Sequence, residues 1–173
     1  MVVILFITSQ HDNNIKTDTS GESLESPLTA RLSEIIGIVL AKSPGQSDFL
    51  DANENTTIQI DSQVKTMAQS RVRLDLSNGS IVRLGENTIF TLEDETNTSQ
   101  GPFYKIKLSL GELWIILKGG ELEVETPSGV AAVRGSYLSV SYFPENNVSL
   151  VTCLEGHCTL ENHSGKVNLV AGE

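Results

Sequence analysis

Aromatic side chains are scarce in this chain. Five Phe, three Tyr and one Trp make up 5% of 173 residues, so any core must be filled mainly by Val, Leu and Ile. Basic residues are few as well, with twelve Lys and Arg against 22 Asp and Glu and a net charge of −10. Such a field repels phosphate backbones and anionic bilayers, which excludes nucleic acid and acidic membrane surfaces as partners. No apolar run reaches the roughly 18–20 residues that span a bilayer. A nucleophile beside its base is also missing: Ser128-Gly129 lacks the nucleophile-elbow pattern, and Gly119-Gly120 has no downstream Lys to cradle a phosphate. Glu123 and Glu125 alternate onto one solvated strand face instead of converging in a pocket. The expectation is a protein without catalysis and without a cofactor.

What is present divides into three parts. Residues 1–10 hold the short apolar stretch Val2–Ile7 with no basic residue before it. This is either the remnant of a truncated signal or anchor, or an ordinary chain start. Residues 11–29 are rich in Asp, Asn, Thr, Ser and Glu and read as a disordered polar linker. Residues 30–173 read as one folded domain, long enough to bury a core.

Within that domain, β-runs are separated by Gly-centred turns, the grammar of an all-β fold. Short antiparallel and stacked strands would form either a β-sandwich or a twisted β-solenoid-like body. Ile35 to Leu40 is rich in β-branched residues and reads as strand. Val72, Leu74 and Leu76 share one face with Arg73 and Asp75 on the other, and Val82 and Leu84 repeat the pattern around Arg83. A three-residue Ser77-Asn78-Gly79 loop sets Leu74 opposite Val82 and Val72 opposite Leu84, whereas a two-residue turn would mix the faces. Glu93 to Pro102 reads as a polar, mobile loop. Ile106, Leu108 and Leu110 alternate until Gly111 turns the chain into Leu113-Trp114-Ile115-Ile116-Leu117, which reads as a strand buried on both faces with Trp114 in the core. The segment EVETPSGVAAVRGS, from Glu123 to Ser136, joins an alternating strand, a Pro-Ser-Gly break and a second apolar run.

Cys153 and Cys158 are the two thiols. With Glu155-Gly156 as a hairpin turn, they face one another as a non-hydrogen-bonded pair within disulfide reach, and Val151 falls opposite Leu160. A structural disulfide in an oxidising compartment is the preferred reading, and two free buried thiols the alternative. A metal centre of Cys153, His157, Cys158 and His163 is disfavoured, because neighbouring strand residues point to opposite faces and no Cys-x-x-Cys occurs. Tyr137, Tyr142 and Phe143 suggest an aromatic edge near Pro144 for a partner.

These motifs resemble the FecR family, the extracytoplasmic β-domain named after the ferric-citrate regulator. Gly37-Ile38-Val39 matches its early Gly-x-Val, and Leu74 to Leu84 its Leu-x-Leu-x-Asp-Gly-Ser-x-Val-x-Leu, with Asn78 in place of Asp. Leu108 to Leu113 matches Leu-x-x-Gly-x-Leu/Val. Thr126-Pro127 through Arg134-Gly135-Ser136 matches the most specific piece, Thr-Pro-x-x-x-Ala-x-Val-Arg-Gly-Thr. Leu154-Glu155-Gly156 and Ala171-Gly172 complete the match, which runs from about Ile35 to the end. Asp61-Ser62 departs from the family's usual Gly-Asp, so one turn there is built differently.

The resemblance implies that Arg134 is a structural position bonding loop carbonyls, the alternative being a partner- or anion-binding residue. Typical members are anti-sigma regulators with this domain outside the membrane. The chain is therefore expected to be periplasmic or on the cell surface, tethered at most through an N-terminal anchor. There it would sense an envelope protein partner or a small ligand, with sigma regulation as the signalling context. The alternative is a structural adhesion or assembly module of a larger envelope protein.

Overall fold

The computed structural model describes residues 27–98, 101–134 and 137–173, except the side chains of residues 94, 95, 97, 98 and 101. The candidate anchor remnant at 1–10 and the linker up to residue 26 lie outside these residues. Among the described residues no helix is formed, so none is long and apolar enough to cross a membrane.

Among the described residues, fifteen strands are divided between two sheets. They are β1 (Ala30–Ile36), β2 (Val39–Lys42), β3 (Leu50–Asp51), β4 (Thr57–Ile58), β5 (Gln63–Thr66), β6 (Arg71–Leu76), β7 (Ile81–Leu84) and β8 (Ile89–Thr98), followed by β9 (Gly101–Ile116), β10 (Glu121–Thr126), β11 (Gly129–Arg134), β12 (Tyr137–Phe143), β13 (Val148–Cys153), β14 (His157–Asn162) and β15 (Gly165–Val170). Sheet A runs β4-β1-β6-β7-β9-β12-β13, and sheet B runs β3-β2-β5-β8-β9-β10-β11-β14-β15. Strand β9 belongs to both: its first half pairs with β8 and β10, its last with β7 and β12. The result is an open, all-β body of two facing sheets, mixed only through the parallel β9–β10 pair.

Alternation drives the packing. Leu74, Val82, Leu113, Ile115, Leu138 and Val140 from sheet A meet Val64, Phe90, Ile106, Leu108, Leu122 and Val124 from sheet B in one core. Each such side chain contributes about 1.5–3 kcal/mol through burial. Val72 pairs with Leu84 and Leu74 with Val82, the register that the three-residue loop demands. Gly79 takes φ +85 there, as the left-handed loop position requires.

Several expectations need correction. Gly111 does not turn the chain: β9 runs through it, switching sheets. The run 113–117 is not buried on both faces, because Leu113 and Ile115 point inward while Trp114 and Ile116 are each 37% exposed. A continuous apolar run carries no periodicity to show this, and strand geometry restores the alternation. The segment read as a loop from Glu93 continues β8 after a register shift at Leu92/Asp94 and pairs with β9 out to Thr98 and Gly101. Leu28, assigned to the polar linker, is buried in the core.

At Gly111, with φ +89, an added Cβ would lie 2.6 Å from the Thr88 Cα and 2.8 Å from the Asn87 carbonyl oxygen. Both are backbone atoms that cannot swing away. We expect Gly111→Ala to lower stability by about 2–4 kcal/mol, read as a shifted urea midpoint. Gly119→Ala, at φ +77 with nothing near the added carbon, should cost only about 1 kcal/mol.

Candidate protein-interaction surface

The outer face of sheet A carries an unusual row. Ser33, Arg73, Arg83, Trp114, Ser139 and Thr152 lie side by side across successive strands. The next row holds Arg31, Asp75, Ile81, Ile116 and Tyr137. Arg73 faces Arg83 directly, and like charges opposed across a ladder destabilise it unless a counter-charge intervenes. Glu34 supplies that charge. A bulge in β1 between Ser33 and Ile36 and a left-handed φ of +49 at Glu34 accompany its reach over the neighbouring strands.

The Glu34 carboxylate accepts from Arg83 Nη1 at 2.8 Å and Nη2 at 3.4 Å, and from Arg73 Nη1 at 3.0 Å. Arg73 also donates through Nε to Asp75 at 2.8 Å, and the Ser33 hydroxyl donates to Asp75 at 2.5 Å. Hydrogen bonds from Arg73 and then Arg83 hold the Glu34 carboxyl below its ordinary value. For Asp75 burial pushes upward, but the bonds from Ser33 and Arg73 outweigh it and its pKa is also lowered.

A concavity of about 750 Å³ opens over this cluster, with Trp114 and Ile36 among its apolar walls and Arg71, Arg73, Arg83 and Glu34 among its polar ones. Gln69, at φ +54, lines it too, its backbone N–H donating to Glu86. Two non-glycine residues in the left-handed region beside one concavity are strained positions of the kind found at functional sites. Trp, Tyr and Arg are also the residues that dominate binding energy at interfaces.

The residues singled out from sequence are scattered. Cys153 and Cys158 form a disulfide with Cα atoms 5.7 Å apart. The hairpin geometry inferred for them is wrong: β13 pairs with β12 in sheet A, while β14 pairs with β11 and β15 in sheet B. Val151 therefore faces Val140 and Leu160 faces Ala131. The bond staples the two sheets together. Joined in this bond, the two thiols are not free to act as metal ligands.

Thr126 braces the β10–β11 turn through its hydroxyl, donating to the Gly129 carbonyl at 2.8 Å and sharing a hydrogen bond with Ser149 at 2.7 Å. Pro127 is exposed at that turn. Arg134 donates to its cross-strand neighbour Glu121 at 2.7 Å. Gly135 and Ser136 lie outside the described residues. Tyr142 is not a surface contact: it is 6% exposed, and its hydroxyl donates to Asn147. Strand alternation turns it inward and leaves Phe143 and Pro144 exposed.

The FecR protein family matches residues 62–159, more than half of the chain. The chain belongs to the FecR family. Two crystal structures of a candidate anti-sigma factor from Parabacteroides distasonis ATCC 8503 share the fold. They give TM-scores of 0.57 and 0.56 at 16% and 18% identity, each covering 64% of this chain. The chain spans about half (52%) of the length of those two. A comparison with curated proteins finds no match. Within the family match, Arg73, Arg83 and Trp114 belong to strands whose inward residues carry the FecR motifs. Those motifs describe the core and turns, which is why they did not point to the outer face.

Two predictions follow from these contacts. Because the folded-state pKa values of Glu34 and Asp75 are lowered, their stabilisation is present above the ordinary carboxylate range and is lost as pH falls below it through the lowered folded-state values. Urea midpoints at about pH 7 and about pH 3 should therefore differ less in Glu34→Gln than in the parent chain. Replacing both cysteines by Ala should cost about 2 kcal/mol, given the short loop the bond closes, measured by denaturant unfolding without reductant.

Proposed function

We propose that this chain is a non-catalytic sensory and protein-interaction domain acting outside the cytoplasm, in envelope signalling of the sigma-regulator type. The observation that carries the reading is the outer face of sheet A in a FecR-family chain: exposed Trp114, Ile116 and Tyr137 beside Arg73 and Arg83, on a rigid sheet. Family membership and the fold shared with a candidate anti-sigma factor support a regulatory role. The Cys153–Cys158 bond supports an oxidising compartment. The partner is then a protein of the cell envelope, held by aromatic and arginine anchors within a polar rim.

A second reading, an assembly module of a larger envelope protein, is favoured by one feature. Edge strands β13 and β15 expose Val148 and Leu150, and Val167 and Val170. Open apolar edges invite strand pairing between chains. Concentration-dependent association in sedimentation experiments would favour this reading.

The direct test places a photo-crosslinking amino acid at Tyr137, on sheet A, and in a separate variant at Thr159, on the outer face of sheet B, in cells that make the protein. A discrete protein adduct from Tyr137 alone, with both thiols blocked to a membrane-impermeant maleimide until reduced, is the expected result. Equal adducts from both positions, or freely reactive thiols, would contradict the proposal.

A further inference from the structure

Four of the five arginines in this acidic chain, Arg31, Arg71, Arg73 and Arg83, lie on the outer face of sheet A. Arg73 and Arg83 are gathered on one carboxylate, Glu34, whose side chain is 50% exposed. Arg71 lines the same concavity and, like Arg31, makes no ion pair among the described residues. Trp114 lies beside Arg83 in the next strand.

We propose that Glu34 is a built-in placeholder. It fills the Arg73/Arg83 fork in the free domain, and a carboxylate from an acidic segment of the protein partner takes its place while an apolar side chain of that segment rests on Trp114. The inference rests on the protein-interaction reading above.

Three observations support the exchange. The fork already holds a carboxylate in bidentate fashion at Arg83, so a second carboxylate meets preformed geometry. Like replaces like, so the guanidinium groups gain no new desolvation cost. The resident pairs sit on side chains that are 28–50% exposed, where water reaches the fork and one carboxylate can be exchanged for another. Charge complementarity selects the occupant. On a body carrying −10 overall, this is where arginines concentrate, and Arg71 is left to take a second carboxylate. The apolar walls, including Ile36 and Trp114, favour a mixed acidic and apolar peptide over a bare inorganic anion.

Trp114 is the single tryptophan and so reports its own surroundings. The probe is a capped Glu-Leu-Glu-Phe-Glu peptide, titrated at low salt while Trp114 emission is followed. A Lys-Leu-Lys-Phe-Lys peptide and inorganic phosphate serve as comparisons. The acidic peptide should shift the emission and the basic one should not. Glu34→Gln should tighten acidic-peptide binding roughly three- to tenfold by removing the competitor, and Arg83→Met should weaken it by at least as much.

Unchanged or weaker binding in Glu34→Gln would overturn the placeholder, since a purely structural Glu34 would give that result. Equal response to phosphate would show a general anion site and overturn the peptide assignment. The modest fall in urea midpoint expected for Glu34→Gln near pH 7 leaves the titration readable. Should the variant fail to fold, Glu34→Asp, whose shorter carboxylate holds the fork less well, is read in its place. Tighter acidic-peptide binding then supports the placeholder, and unchanged binding overturns it. The Tyr137 crosslink separates the two levels. An adduct that persists while the peptide fails leaves the interaction reading standing and removes the exchange, whereas loss of the adduct removes both.

Discussion

The architecture depends on a strand that changes sheets. Strand β9 gives its first half to sheet B and its last to sheet A, and the crossing at Gly111 admits no side chain because Thr88 and Asn87 press against it. The buried Thr88 hydroxyl accepts from the Glu112 N–H at 3.0 Å, and the Thr66 hydroxyl accepts from the Thr88 N–H at 2.9 Å. Backbone groups that leave one ladder for the other are thereby satisfied, as buried polar groups must be. The same crossing sets Trp114 outward: with Leu113 and Ile115 fixed in the core, the residue between them has nowhere to go but the surface.

A second constraint ties the far side. The Cys153–Cys158 bond joins β13 of one sheet to β14 of the other, and Thr126, Ser128 and Ser149 link the β10–β11 turn to β13 through hydroxyl contacts of 2.7 and 2.6 Å. Two sheets held by a shared strand and a covalent staple form a stiff platform. Side chains on such a platform are already oriented, which reduces the ordering cost of binding.

Legibility in the sequence followed periodicity. Where apolar and polar residues alternate, as at Val72–Leu76 and Leu122–Thr126, the inward face could be read directly, and for the first of these the register too, down to the pairing of Leu74 with Val82. Where they do not, the reading failed: the apolar stretch around Trp114 hid its outward positions, and the acidic stretch from Glu93 concealed a strand because polar residues on both faces leave no pattern. The disulfide was legible from proximity in sequence, but its hairpin was not, since a five-residue separation fits a corner between sheets as well as a turn within one. Glu34 was missed altogether, although the deduced register already placed Arg73 against Arg83 and so called for a bridging carboxylate. Its position depends on a bulge that no local pattern marks.

The functional account comes down to which aromatic surface a partner covers. Hydroxyl-radical footprinting of the domain, alone and in complex with the protein it crosslinks to, compares Trp114 and Tyr137 on the outer face of sheet A with Phe143, which is 46% exposed at the end of β12. The account predicts that oxidation of Trp114 and Tyr137 falls on complex formation while that of Phe143 is unchanged. Protection of Phe143 with Trp114 still fully reactive would contradict it.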